Sequence, residues 1–231
     1  CGSTSLGGQS GSSCDDPKQT KVSGKVFSPA GNLPLYNVVV YVPVPGETQP
    51  PISEGASCDK CSGSQARGVA VALTDEAGAF TLEGVPEGDN VPLVVQVGKW
   101  RREVTIPHVA ACTTTVLDDP ELTRLPRNQA EGHLPKIAMV KGHSDALECL
   151  LRKLGIDDAE FTLDDGAGRV NMFYGCASKA GLYGANKFSP ELGGGAFPNA
   201  VTSLYANPAK LGTYDMLVLS CEGPGCVDQK T

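Results

Sequence analysis

The sequence is short of the side chains that most often carry chemistry. Aromatics make up 6% of its 231 residues, with one tryptophan, and there are three histidines. His108, His133 and His143 are grouped by neither an HxH nor an HExxH spacing, so they suggest no metal site. Basic residues are outnumbered, 19 against 26 acidic ones, for a net charge of -7. Without clustered Lys and Arg to neutralise phosphates, nucleic acid is excluded as a partner. No apolar run approaches the roughly 18 residues that cross a bilayer as a helix. Gly193-Gly-Gly195-Ala-Phe197 lacks the spacing and the lysine of a phosphate loop and reads as a plain loop, and no other cofactor fingerprint is present. A calcium loop at Asp164-Asp165-Gly-Ala-Gly168 fails for want of alternating acidic ligands and a terminal Glu. The pairs Asp118-Asp119 and Asp157-Asp158 read as solvated loop charges, and His143 as a first-turn residue of a helix.

Cysteine and the turn formers, in contrast, are plentiful. With 28 Gly and 17 Pro, the chain favours many turns and short strands over a helical bundle. Nine cysteines suit an oxidising compartment, and the odd count leaves Cys1 over. Residues 1–20 have the Gly/Ser composition of a tether, held down by a disulfide at Cys14 or by a neighbouring subunit. The start, Cys1-Gly-Ser-Thr-Ser-Leu-Gly-Gly, resembles a mature bacterial lipoprotein. That resemblance implies an acylated Cys1, a membrane partner reached through the lipid and, with Gly rather than Asp at position 2, the outer membrane surface.

The remaining cysteines, Cys14, Cys58, Cys61, Cys112, Cys149, Cys176, Cys221 and Cys226, are expected in disulfides. Cys58-x-x-Cys61 lies in a Pro/Ser-rich loop. With Cys14 and Cys112 it could form two disulfides, each from the loop pair to one of those two residues, or a four-cysteine zinc site, or act alone as a redox pair. Export favours disulfides, although four cysteines allow three connectivities. Cys149 with Cys176, and Cys221 with Cys226, are the other pairs.

Residues 21–117 alternate short β-branched runs with Gly, Pro, Asn or Asp turns, predicting about seven strands of an antiparallel β-sandwich. The segments Val22-Ser-Gly-Lys-Val26, Asn37-Val-Val-Val-Tyr41, Thr74-Asp-Glu-Ala-Gly-Ala-Phe80 and Val85-Pro-Glu-Gly88 resemble the carboxypeptidase regulatory-like domain, a transthyretin- or prealbumin-like sandwich. Such domains are mostly spacers, adhesive modules or scaffolds, so the resemblance brings no catalytic residue with it.

After a connector at 118–134 the pattern changes. Lys136-Ile-Ala-Met-Val140 reads as a buried strand. Asp145-x-x-Glu148 matches a capping box, and Leu147, Leu150, Leu151 and Leu154 mark one apolar helix face ended by Gly155. Ala159–Leu163 and Val170–Tyr174 read as strands and Ala200–Asn207 as a short helix. Tyr214–Ser220 is apolar enough to be a parallel strand buried on both faces. Residues 135–231 resemble part of a flavodoxin-like or class I amidotransferase-like three-layer α/β domain, with fewer strands than the five such a sheet needs. The fold class expected is therefore α+β and multidomain. The whole chain resembles secreted lipoproteins of predatory gliding bacteria.

One catalytic candidate follows from that resemblance. Cys221 ends a buried strand before Glu222-Gly223, but it lacks the glycine two residues earlier that a nucleophile elbow requires. Trp100, with Arg101 and Arg102, is the aromatic and basic cluster that could stack on a glycan or seat a partner subunit. The sequence favours a non-catalytic surface lipoprotein, a scaffold or subunit of an envelope assembly bound to other protein subunits. A carbohydrate-binding module, and a hydrolase or amidotransferase-like enzyme completed beyond Thr231, are the alternatives.

Overall fold

The computed structural model describes residues 14–57, 67–142, 144–175 and 186–221. Cys1, Cys58, Cys61, His143, Cys176 and Cys226 lie outside the described residues.

Seven strands occupy the span expected of a sandwich: β1 (Lys21–Lys25), β2 (Val39–Pro43), β3 (Gly68–Leu73), β4 (Ala79–Glu83), β5 (Gly88–Val97), β6 (Trp100–Val109) and β7 (Thr114–Leu117). They form two sheets, β4-β1-β7 and β3-β2-β5-β6. Between them Val22, Val40, Val42, Phe80, Leu82, Leu93, Val95 and Ile106 make one buried core, drawn from alternate positions as a half-covered strand requires. The sandwich departs from an all-antiparallel arrangement at one place. β1 pairs with β4 antiparallel but with β7 in parallel, Lys21 opposite Thr114.

The connector is ordered by charge. Asp119 is no idle surface acid; its carboxylate accepts from Glu121 N–H and caps α1 (Pro120–Thr123). Arg124, buried, forks onto Glu131 and also reaches Glu121. Hydrogen bonds from Arg124, and one from the Arg127 main chain, hold the Glu131 carboxyl down at about 2, against the opposing effect of burial. Sequence patterning gave no hint of this buried Arg–Glu group.

The second region holds β8 (Ile137–Lys141), α2 (Leu147–Lys153), β9 (Phe161–Thr162), β10 (Val170–Tyr174), α3 (Pro208–Leu211) and β11 (Met216–Leu219). Its four strands are all parallel, in the order β11-β8-β10-β9. β8 and β10 are buried on both faces. One face packs Ile137, Met139, Val170 and Met172 under Leu151, Ile156 and Phe161. The other packs Ala138, Val140 and Phe173 under Ala200, Leu204 and Tyr214.

Four local expectations are corrected. α2 starts one residue later than the capping box implies, with Ala146 at its N-cap and no side-chain cap, because the Asp145 carboxylate instead accepts from Cys221 N–H. Of its leucine face, Leu151 is buried while Leu150 is exposed. The 200–207 helix is a π-helical turn at Val201–Tyr205 followed by α3. β11 is parallel as expected, but among the described residues it sits at the sheet's edge, where Met216, Leu217 and Leu219 are 43%, 40% and 54% exposed.

Candidate functional site

The most elaborate polar constellation lies where the sandwich meets the amino ends of the parallel strands. The β5–β6 hairpin carries Lys99 and Trp100 into this junction. Lys99 Nζ donates to Asp215 Oδ1 at 2.6 Å and to the Gly55 carbonyl at 2.5 Å. The other carboxylate oxygen of Asp215 accepts from Lys136 N–H at the entry to β8. This ion pair is nearly dry, with side-chain exposures of 15% and 3%. A charge removed from water this far is tolerated only when its hydrogen bonds are complete.

Trp100 lies half-buried beside it and packs against both the sandwich core and the parallel-sheet core. Arg101 is joined to His133 by a two-way main-chain bridge, at 3.0 and 2.8 Å, and its guanidinium donates to the Pro50 carbonyl. Arg102 caps the end of α1 through the Glu121 and Arg124 carbonyls. A side chain at Gly132 would have its Cβ only 2.4 Å from the Arg101 carbonyl oxygen, so the close bridge requires glycine there. The cluster that reads in sequence as an exposed ligand platform is therefore committed to internal contacts.

His133 donates through Nδ1 to the Lys99 carbonyl at 2.6 Å. Its Nε2 lies 3.4 Å from Arg169 and 3.5 Å from Glu54. Arg169 forks onto Glu54 at 2.8 and 2.9 Å. That bidentate hydrogen bonding holds the Glu54 carboxyl down at about 2, with the Arg169 and His133 charges adding to it and burial opposing. Glu160, buried, completes the frame by accepting from Gln129 N–H, Gln129 Nε2 and Arg169 N–H. A cleft of about 370 Å³ opens here between Glu54, Lys136, Arg169 and Thr213. A second junction lies at the end of α2, where Ala30 N–H donates to the Leu154 carbonyl at 2.8 Å. Gly155, at φ 99°, turns the chain there, and a Cβ on it would meet Ala30 N at 2.2 Å. His133, Glu54, Arg169, Glu160 and Asp215 come from four separate stretches of chain. No local spacing links them, so the sequence reading missed this group.

The cysteines resolve differently from expectation. Cys14 bonds to Cys112 directly, with Cα atoms 5.5 Å apart and 98 residues between them, rather than each bonding to the loop pair. The parallel β1–β7 register is the reason. It runs the chain before Lys21 alongside the chain before Thr114, and Lys21 N–H bonds the Thr113 carbonyl. Thr20 then clamps the turn, its hydroxyl accepting from Cys112 N–H at 3.0 Å. This bond removes two of the four thiols that a zinc site with Cys58 and Cys61 would need. Cys149 and Cys221 are exposed free thiols, not disulfide partners. Cys149 lies on the outer side of α2, and Cys221 is fixed through its main chain, which bonds Asp145 and Ser144. Neither of these bonds involves the Cys221 sulfur or a histidine. Among the described residues no helix is long and apolar enough to cross a membrane, and no three potential metal ligands gather.

No family model and no curated protein matches the chain. Two solved structures of a type II Cohesin-X-Dockerin complex from Acetivibrio cellulolyticus, an N-terminal and a C-terminal interface mutant, are similar over 60% and 59% of this chain and 85% and 86% of theirs. Both have 15% identity and a TM-score of 0.30. At that score the likeness establishes nothing further.

Proposed function

We propose that this protein is a non-catalytic scaffold subunit, exported and held at the outer cell surface by an acyl group on Cys1. The observation that carries this reading is the Cys14–Cys112 disulfide. It ties the anchored end of the chain to the sandwich, and a bond of this kind persists where the surroundings are oxidising. From there a covalent and packed path continues through Trp100 and the Lys99–Asp215 pair to the parallel sheet. A tether, a staple and a locked joint suit a part that transmits position rather than one that opens around a substrate.

The sandwich is read as carboxypeptidase regulatory-like and residues 135–231 as part of a flavodoxin-like three-layer domain. The support for the latter is that β10, β8 and β11 lie side by side in that order, the second, first and third long strands. Partners are other protein subunits. Glycan recognition by Trp100 is disfavoured because its ring is wedged between two cores. An enzyme reading keeps one point in its favour, the free thiol of Cys221 at the carboxyl end of a parallel strand. Surface labelling of intact cells, followed by purification under non-reducing conditions, tests the proposal. An acylated, externally labelled protein that co-purifies with other subunits is expected, and a protein recovered alone from the cytosol would refute it.

A further inference from the structure

The cleft beside the joint, about 370 Å³, is large enough for one small molecule. Its wall is mostly glycine and alanine main chain, and it carries three charged side chains, Glu54, Lys136 and Arg169. Two of these answer each other, since Arg169 forks onto Glu54. Lys136 has no such partner. Asp215 takes the Lys136 main-chain N–H on one carboxylate oxygen and the Lys99 ammonium on the other. The half-buried Lys136 instead holds its ammonium over the Tyr214 ring, 4.9 Å from the centre. Among the described residues no carboxylate pairs with it. A ring face compensates a cation far less than an anion does. Two cations against one carboxylate leave the cleft one positive charge in excess, in a chain whose net charge is -7. The wall's main-chain acceptors are in use. The Gly55 carbonyl takes Lys99, the Gly212 carbonyl takes Ala56 N–H, and the Ala167 carbonyl takes Gln129. Two side-chain acceptors remain. Thr213 Oγ1 spends its proton on the Lys210 carbonyl and keeps its lone pairs. The exposed Glu54 carboxylate also has lone pairs beyond those that Arg169 fills.

We propose that this cleft binds a small hydroxylated carboxylate, with its carboxyl group on Lys136 Nζ and its hydroxyls on Thr213 Oγ1 and Glu54. A monoanion matches the single charge in excess. A phosphate dianion exceeds it, and the guanidinium that would fork a phosphate is closed by Glu54. A divalent cation would find one carboxylate already on an arginine and carbonyls already in use. An uncharged sugar would leave Lys136 uncompensated, and Tyr214, buried, offers no open ring face to stack on. The cleft is formed before any ligand arrives. The Ala56 N–H bond to Gly212 is 2.9 Å, and a Cβ on Gly55 would come within 2.4 Å of the Gly212 carbonyl oxygen, so the two walls already touch. Little ordering is then left for binding to impose. This site goes beyond the proposed scaffold role and depends on neither the anchor nor the disulfide.

The test is an amide chemical-shift titration at constant ionic strength with sodium gluconate, beside sodium acetate, sorbitol and inorganic phosphate. Gluconate is expected to saturate shifts at Gly166, Gly168 and Thr213 with a Kd below about 1 mM. Acetate lacks the hydroxyls and sorbitol lacks the carboxylate, so each should bind at least about 10-fold more weakly. Lys136→Met keeps the main-chain bond to Asp215 and should weaken gluconate at least about 10-fold. Thr213→Val, in an exposed turn, should weaken gluconate and leave acetate unchanged, which tests the site even where the lysine variant fails to fold. No saturable shift up to about 10 mM gluconate would overturn the proposal. So would acetate or sorbitol binding as tightly as gluconate, phosphate binding more tightly, or full gluconate affinity in either folded variant.

Discussion

At the scale of single residues, the joint rests on a few buried charges and one ring. Replacing Asp215 with Asn leaves Lys99 with its charge largely out of water and no counterion. Loss of one partner of a buried pair costs on the order of 3 kcal/mol. Asp215→Asn and Lys99→Met should each lower the urea midpoint by that measure, and the double variant should recover part of the loss. Trp100→Ala removes a ring shared by two cores and should cost about 3–5 kcal/mol, while glycan-array binding stays at background for both proteins. The acid limb of stability follows from two carboxylates. Glu131 and Glu54 have folded values of about 2, below the ordinary 4.5, so their contribution is complete above about pH 5 and is lost as pH falls towards 2. For the largely shielded Glu131 this amounts to roughly 3 kcal/mol. Glu131→Gln should therefore lose stability at pH 7 and show a flatter decline below pH 5 in urea titrations.

At the scale of elements, period-2 alternation made the sandwich strands legible, since Val22, Val40, Phe80, Leu93 and Val95 announce their buried faces directly. The parallel β1–β7 pairing was not legible, because strand direction is set by which edges meet across 90 residues and leaves no local mark. The disulfide map was hidden for the same reason, as it follows from that register. The stop at Gly155 could be read from one residue, but the start of α2 could not. Asp145 had a more distant partner in Cys221 than the local capping box suggested. The candidate site was the least legible part, because Glu54, His133, Glu160, Arg169 and Asp215 meet only after folding. The Cys14–Cys112 bond closes a loop with 98 residues of separation, around strands β1 to β6 of the sandwich. Cys14→Ser with Cys112→Ser should cost roughly 2–5 kcal/mol and lower the sandwich's thermal midpoint. An unchanged midpoint would mean that Thr20 and the β1–β7 ladder hold that end without it.

At the scale of the whole molecule, the sandwich and the parallel sheet are fixed to each other by main-chain bridges, a dry ion pair and a shared tryptophan. The disulfide fixes the chain's first described residue to the same body. In the proposed scaffold, a body joined this way would pass its orientation from the anchored end to the parallel sheet. The most direct test of that account is peptide mapping of the natural protein by mass spectrometry, with thiols alkylated before any reduction. The account predicts an acylated Cys1 peptide, a Cys14–Cys112 linked peptide, and alkylated Cys149 and Cys221. An unmodified Cys1 together with alkylated Cys14 and Cys112 would contradict it, since neither the anchor nor the staple would then exist.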